Sequence, residues 1–214
     1  MQSKKTVIVD YGMGNMFSVL RACANAGLDA VLTADRKEVE AADAVILPGV
    51  GAFGAAMENI NRLDLAKPLK DFCASGRPLL GVCLGFQLLM TESEEFGMNR
   101  GLDVIKGVVR KFPVPNNEGA KVPQIGWNAI KQCRSWEGTV LEGLVDGEYM
   151  YFVHSFYVAL DSTEAACSNT SYAGIEYTSS ISRGNVFACQ FHPEKSAWNG
   201  LKIYTNFKKR VTGE

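Results

Sequence analysis

Short apolar runs alternate with helical stretches over the first half of the chain. Runs of β-type residues occupy 6–9, 30–33, 44–47 and 79–82, and helical patterns occupy 15–26, 65–74 and 86–90. The apolar runs lack the polar alternation of a half-solvated strand, so we expect strands that are covered on both faces. The order predicts an α/β fold with a mostly parallel central sheet flanked by helices, with Val7, Val45 and Leu80 in the sheet core.

The pattern changes from about Lys106, where strands and turns follow one another and antiparallel hairpins become the expected connection. Residues 175–181, a turn over 183–185 and residues 186–191 predict a hairpin that leads directly into His192. A closing helix is expected over 201–211. Turns are predicted at Pro113, Pro115, Asn116-Asn117 and Asp146-Gly147.

Length and charge limit the class of partner. The chain has 214 residues and a formal net charge of −1, which supports one well-buried domain over 1–214 and no field for nucleic acid or an anionic membrane. The longest uncharged stretches, 44–57 and 78–91, are broken by Gly or Pro and are too short to span a membrane. The apolar N-terminal run is too brief for a signal peptide. We therefore expect a cytoplasmic protein that acts on a small substrate or a protein partner.

Cysteine and histidine usage indicates free thiols and no metal site. The six cysteines form no Cys-x-x-Cys pair, and the two histidines are not matched to them at finger-like spacings. We expect no metal and no cofactor.

The segment 79–89, with the letters LLGVCLGFQLL, predicts a nucleophile. An apolar strand, a Gly-x-Cys-x-Gly turn and an apolar helix form a nucleophile elbow, in which the two glycines let strand and helix approach closely. Cys83 would then project from the strand end at a helix N-terminus, where free amides and the helix dipole favour a thiolate. The alternative, a buried structural cysteine, is our interpretation of the other five, because none has glycines at this spacing.

A thiol nucleophile needs a proton acceptor, and His154 and His192 are the two imidazoles of the chain. His192 lies at a strand end, where residues two apart point to the same side, so Glu194 can reach one of its ring nitrogens. A carboxylate bonded there sets the tautomer and leaves the other nitrogen facing the nucleophile. His154 lies in an aromatic strand without such a carboxylate, which favours a hydrogen-bonded histidine inside a sheet.

A glycine-rich loop, 48–54, follows the buried run 44–47. Its glycines leave backbone amides uncovered where a parallel strand ends, which is where ligands bind in such sheets. An amide there and the Leu84 amide after the nucleophile form a candidate oxyanion site. A phosphate-binding loop is the rival interpretation, but neither this loop nor the glycine cluster at 10–15 has the spacing of a P-loop or of a complete dinucleotide fingerprint.

These segments together resemble a known family. The motifs PGVG at 48–51, GVCLGFQ at 81–87 and HPE at 192–194 are similar, in that order, to those of the class I (triad-type) glutamine amidotransferases. More narrowly, the segments 10–15, 47–54, 126–128, 151–155 and 192–196 resemble the glutaminase subunits of imidazole glycerol phosphate synthase, which act in histidine biosynthesis. The match spans nearly the whole chain.

The resemblance implies a set of site residues and a partner. It implies glutamine as substrate and a β/α-barrel cyclase, or synthase, subunit that receives the ammonia in a heterodimer. The implied triad is Cys83, His192 and Glu194. Oxyanion and substrate contacts are implied for Gly49, Val50, Gly51, Leu84, Gln87, His154, Ser155 and Phe156, and a partner interface for Asn15, Gln124, Trp127 and Lys195.

Three departures from the family pattern leave other functions open. Gln124 stands where histidine is usual, Phe156 where tyrosine is common, and Ala197-Trp198-Asn199 replaces a small polar stretch. A paralogue that supplies ammonia to a different synthase, for example in amidino-sugar formation, would look similar. A stand-alone hydrolase of γ-glutamyl compounds and a non-catalytic binding subunit are further alternatives.

Overall fold

The computed structural model describes residues 4–113 and 121–214. The turns predicted at Pro115 and Asn116-Asn117 lie outside the described residues. Among the described residues, none of the helices has the length and apolarity needed to cross a membrane.

The first half alternates strands and helices as the sequence predicts. Its elements are β1 (Thr6–Val9), α1 (Met16–Ala26), β2 (Ala30–Thr33), α2 (Arg36–Ala41), β3 (Ala44–Leu47), α3 (Phe53–Arg62), α4 (Ala66–Ala74), β4 (Leu79–Val82) and α5 (Leu84–Leu88). The four predicted strands are confirmed, whereas α2 and α3 were not predicted. Asn15 caps α1 by accepting a hydrogen bond from the Ser18 amide, and Gly27 ends the helix in the left-handed conformation at φ 71°.

The second half is rich in antiparallel strands. Its elements are β5 (Glu92–Ser93), β6 (Asn99–Arg100), β7 (Gly107–Lys111), β8 (Gln124–Gln132), β9 (Glu148–His154), β10 (Phe156–Leu160), β11 (Ala166–Tyr172), β12 (Ile175–Arg183), β13 (Val186–Cys189) and α6 (Ala197–Thr212), with short 3-10 helices at Thr163–Ala165 and Pro193–Lys195. The predicted hairpin is confirmed as β12 and β13. The closing helix begins at Ala197, four residues before the predicted start at 201.

The strand order explains where a site can form. The parallel part of the sheet runs β2-β1-β3-β4-β13, and β12 continues it in the antiparallel sense. The carboxyl ends of β3, β4 and β13 therefore meet at one edge, the edge at which parallel sheets bind ligands. The glycine loop, Cys83 and His192 follow these three strands directly.

Helices cover both faces of this sheet. Val7 and Val45 pack with Phe53 and Phe72, from α3 and α4, on one face. Leu80 packs with residues of α1 and α6, such as Val19 and Phe207, on the other. Val7, Val45 and Leu80 are all fully buried, so the predicted sheet core is confirmed and the site at the sheet edge is held from both sides.

Candidate active site

Cys83 occupies a strained turn between β4 and α5. Its backbone has φ 54° and ψ −109°, a positive φ that non-glycine residues rarely adopt. The turn is tight because a Cβ at Gly85 would lie 1.7 Å from the Leu47 carbonyl oxygen, so only glycine lets the helix approach β3 this closely. The Cys83 amide donates to the Cys189 carbonyl at 2.8 Å. The predicted elbow geometry is therefore present, with the cysteine anchored to β13.

His192 and Glu194 form a buried pair immediately after β13. Nδ1 of His192 lies 2.7 Å from Oε1 of Glu194, and the two side chains are 3% and 2% exposed. With the carboxylate accepting at Nδ1, the neutral ring carries its proton on that nitrogen and Nε2 is left as the basic atom. The two-residue spacing predicted from the sequence thus brings base and orienter together.

The turn that carries this pair is fixed to β9. The His192 amide donates to the Tyr151 carbonyl at 2.9 Å. The buried Ser196 hydroxyl donates to the His192 carbonyl at 2.7 Å and accepts from the Tyr151 amide at 2.9 Å. Pro193 begins the short 3-10 helix that follows. The five residues 192–196 are therefore tied at both ends to a neighbouring strand, which holds the imidazole in one orientation.

Electrostatics favour a protonated His192. Burial by itself lowers the pKa of His192, but the Cys83 sulfur, by its charge and as a hydrogen-bond acceptor, raises that pKa well above its usual range, and the hydrogen bond and charge of Glu194 raise it further. Nε2 is buried, and its contact with the sulfur falls short of full hydrogen-bond geometry. An imidazolium beside a sulfur anion is the arrangement that can deliver a proton to a leaving group.

The glycine loop is held in place by Tyr11. The buried Tyr11 hydroxyl donates to the Pro48 carbonyl at 2.8 Å, and a Cβ at Gly49 would lie 2.0 Å from that hydroxyl. The Leu84 amide, which we expect at an oxyanion site, donates to the Gly49 carbonyl at 3.3 Å. In this arrangement the amide is engaged within the protein.

A cavity of about 410 Å³ opens above the thiol. Cys83 is 5% exposed and forms part of its wall. Nine of the residues named from the sequence line it, whereas Gly49, His192 and Glu194 are not among its lining residues. The lining residues are Val50, Gly51, Cys83, Leu84, Gln87, Glu95, Pro123, Val153, His154, Ser155, Phe156 and Lys195.

Glu95 is a further candidate site residue, and its role is not predicted from the sequence. It lies between β5 and β6, and its Oε2 accepts from the Phe53 amide at 2.6 Å, which ties the cavity wall to α3. A carboxylate in a cavity with a thiol suits a ligand that carries an ammonium group. No local motif marks this residue, because its position depends on pairing between short strands.

His154 is placed in the cavity wall and is unsuited to proton transfer at neutral pH. Its Nδ1 shares a 2.7 Å hydrogen bond with the Phe156 carbonyl, and its Nε2 lies 3.3 Å from the Tyr177 hydroxyl. Burial lowers the pKa of His154 to about 4, against the opposing effect of the Phe156 hydrogen bond. The ring is neutral at pH 7, which fits the structural interpretation of this residue.

Of the four residues expected at a partner interface, three are exposed and one is not. Asn15 is exposed, Trp127 is 52% exposed and the Lys195 ammonium lies 5.9 Å from the Tyr151 ring centroid. Gln124 is only 2% exposed, and its Oε1 accepts from the Tyr177 hydroxyl at 3.0 Å. The Gln124 side chain is therefore buried within this chain, and the partner contact expected for it stays a prediction.

The sequence family described as Glutamine amidotransferase class-I matches residues 7–209. The chain is a class I glutamine amidotransferase. Relatives of this amidotransferase cover nearly its whole length. Imidazole glycerol phosphate synthase subunit HisH of Aquifex aeolicus is 43% identical over 208 residues, 97% of this chain and 97% of its own. The protein of the same name from Methanosarcina mazei is 45% identical over 208 residues, 95% of this chain and 98% of its own.

Solved structures with the same fold are more distant in sequence. The amidotransferase resembles the glutaminase domain of Trypanosoma brucei CTPS with bound acivicin at a TM-score of 0.70 and 14% identity, covering 99% of this chain and 95% of that chain. It resembles PurLQS from Thermotoga maritima at a TM-score of 0.72 and 16% identity, covering 99% of each chain. At these identities the likeness shows a shared fold, which agrees with the predicted α/β class.

Proposed function

We propose that this chain is the glutaminase subunit of an imidazole glycerol phosphate synthase, built as one domain over residues 1–214. It hydrolyses glutamine to glutamate and ammonia, and it passes the ammonia to a β/α-barrel cyclase subunit in a heterodimer. The observation that carries the chemistry is the buried His192–Glu194 pair beside Cys83 at the carboxyl edge of the sheet. The names of relatives at 42–45% identity support the pathway.

In the first half of the reaction, the Cys83 sulfur attacks the side-chain carbonyl carbon of glutamine. The imidazolium of His192 gives its proton to the departing nitrogen, so the C–N bond breaks, ammonia leaves and a thioester remains. Glu194 holds the ring and stabilises its positive charge throughout. In the second half, His192 removes a proton from water, the hydroxide adds to the thioester, and glutamate leaves as the thiolate is restored.

The cavity offers groups for both ends of the substrate. Its volume of about 410 Å³ suits one amino acid. We assign Glu95 to the α-ammonium group of glutamine, because its carboxylate lines the cavity and supplies the opposite charge. Gln87, Ser155 and Phe156 lie in the same wall and supply polar and apolar contacts along the side chain.

The conformation of the glycine-rich loop at 48–54 supports control of the glutaminase reaction by the partner. The Leu84 amide donates to the Gly49 carbonyl, so a tetrahedral oxyanion can use that amide only if the loop at 49–51 shifts. We infer that docking of the cyclase favours the shifted loop, since a ligand can bias an equilibrium only through the state it binds better. Such control would keep the isolated subunit from wasting glutamine.

The exposed residues around the cavity mouth are the proposed docking face. Trp127 packs edge-on against Tyr151, with 6.1 Å between ring centroids, and Lys195 lies over the same ring and also lines the cavity. Asn15 begins α1 nearby in the fold, since α1 contacts the 3-10 helix that carries Lys195. An exposed aromatic group beside a lysine is a common centre for a protein interface.

Release of glutamate from glutamine tests the proposal. The assay compares the chain alone with the chain plus a histidine-pathway cyclase and its phosphoribosyl aminoimidazole carboxamide substrate, and it includes Cys83→Ala. Stimulation by the cyclase and loss of activity in the variant are expected. Activity that depends on Cys83 but is indifferent to the cyclase would keep the glutaminase chemistry and refute this partner, as expected for a paralogue or a stand-alone hydrolase.

A further inference from the structure

Gln190 is a fully buried polar side chain that touches the nucleophile. It follows β13, two residues before His192, and none of its surface is exposed. Its Nε2 donates to the Cys83 sulfur at 3.7 Å, and its Oε1 accepts from Nε2 of Gln87 at 2.9 Å. Its backbone amide donates to the Ser179 carbonyl at 2.9 Å. A buried amide with this many fixed contacts has little freedom to turn.

The orientation of this amide follows from one unambiguous acceptor. The Phe156 backbone carbonyl lies 3.1 Å from the Gln87 side-chain amide, and a carbonyl can only accept, so the NH₂ group of Gln87 faces it. The same NH₂ group lies against Gln190, and the atom of Gln190 that faces it must therefore be its oxygen. The remaining end of Gln190, its NH₂ group, is thus directed at the Cys83 sulfur.

We propose that Gln190 is a further residue of the catalytic site, whose N–H group holds and stabilises the sulfur anion of Cys83 and links it to the substrate wall at Gln87. A hydrogen bond to a charged acceptor is worth more than one between neutral groups, and more still away from water. The inference rests on the proposed glutaminase function, because it assigns a role within that site.

Four other groups lie near the sulfur. His192 acts on it as a cation and as a hydrogen-bond donor, whereas Tyr11, Tyr177 and Cys189 interact with it by charge. Burial is the largest cause that raises the pKa values of these three groups, and the charge of the sulfur adds to it. These neighbours come from β1 and its following turn, β12 and β13. A neutral substitution at position 190 leaves all four in place, so its effect on sulfur reactivity isolates the amide.

Two substitutions separate a role at the sulfur from a role at Gln87. Gln190→Met is similar in size and removes both hydrogen bonds. Gln190→Glu keeps an acceptor for Gln87 and replaces the N–H donor by a carboxylate oxygen, which repels the sulfur anion instead of holding it. The surface substitution Gln132→Met is the matched control, and all variants carry Cys133→Ser, because Cys133 is exposed and would also be alkylated.

The readout is the rate of alkylation of Cys83 by iodoacetamide, followed peptide by peptide with mass spectrometry from pH 5 to pH 10, together with kcat and KM for glutamine in the cyclase complex. Iodoacetamide does not need the glutamine contacts, so it reports on the sulfur alone. We expect both Gln190 variants to react roughly tenfold more slowly than the parent chain at pH 7, because the sulfur anion has lost its hydrogen-bond donor. Unchanged alkylation in Gln190→Met would overturn the proposal and leave Gln190 as a support for Gln87 seen only in KM.

A second measurement avoids substitution at position 190 and covers variants that fail to fold. The side-chain NH₂ signals of Gln190 are followed by ¹⁵N nuclear magnetic resonance in the parent chain and in Cys83→Ala. Loss of the sulfur is expected to shift these signals and to speed their hydrogen exchange, and identical spectra would overturn the proposal. A parent chain that releases no glutamate with the cyclase would instead refute the proposed function, which these two readouts do not require.

Discussion

Replacement of Glu194 by glutamine tests how much the buried carboxylate contributes. The side chains of His192 and Glu194 are 3% and 2% exposed and 2.7 Å apart, so the substitution keeps the shape and removes the charge in a place that water does not reach. Breaking a buried charged pair by removing one partner costs about 3–5 kcal/mol. If this cost falls on the protonated ring needed in the transition state, kcat decreases about 10²- to 10⁴-fold, at roughly tenfold per 1.4 kcal/mol.

The structure also predicts the direction in which the pH profile of kcat moves in Glu194→Gln. Glu194 is one of the groups that raise the pKa of His192, so its neutralisation lowers that pKa and the alkaline limb of kcat moves to lower pH. Steady-state glutamate release is measured from pH 6 to pH 10 in the cyclase complex for the parent chain, Glu194→Gln and the exposed control Glu58→Gln. A Glu194→Gln enzyme that keeps more than a tenth of kcat, with an unmoved alkaline limb, would refute the triad assignment.

Three further predictions follow from features of the same edge of the sheet. Gly49→Ala places a Cβ 2.0 Å from the Tyr11 hydroxyl, so we expect a loss of about 1–3 kcal/mol and a lower Tm in differential scanning calorimetry; an unchanged Tm would contradict the tight loop. The pKa of His154 falls from 6.5 to about 4 on folding, so the unfolded chain binds more protons between these values and stability decreases as pH falls from 6.5 to 4, by up to roughly 3 kcal/mol. Urea unfolding at pH 7 and pH 4.5 checks this, and His154→Gln should flatten the dependence. Trp127→Ala should weaken cyclase binding tenfold or more in calorimetric titration, and equal affinity would remove Trp127 from the interface.

Much of the parallel sheet is predictable because its signals are local. The strands at 6–9, 30–33, 44–47 and 79–82 are predicted with the bounds observed, since uninterrupted β-branched and aliphatic runs mark strands of a parallel sheet. The expectation that both faces are covered is confirmed for three of them but is wrong for β2, an edge strand in which Val31 and Leu32 are 37% and 38% exposed. The helices α2 and α3 were missed. The sequence of α2, RKEVEA, has one buried residue, Val39, and α3 begins within the glycine-rich loop, where glycine hides the helical pattern.

The site residues also divide into those that local sequence signals mark and those that only long-range contacts place. Glycines at fixed offsets mark Cys83, and a two-residue spacing marks His192 and Glu194. These three residues can therefore be identified from the sequence alone. Glu95 and Gln190 carry no such pattern, and their positions depend on contacts with residues 42 and 103 positions away, at Phe53 and Gln87. The burial of Gln124 likewise carries no sequence signal, because successive residues of a strand point to opposite faces and the register of β8 decides which face is covered.

The backbone conformation of Cys83 lowers the stability of the fold at the residue that supplies the nucleophile. Its φ of 54° with ψ of −109° lies in a region that costs a residue with a Cβ about 1–3 kcal/mol, and glycine adopts it without that cost. A chain with glycine at this position would therefore fold more stably than the natural one while lacking any nucleophile. Random drift towards a more stable protein would erase the enzyme at this point, so only continued demand for ammonia keeps a sulfur at the elbow.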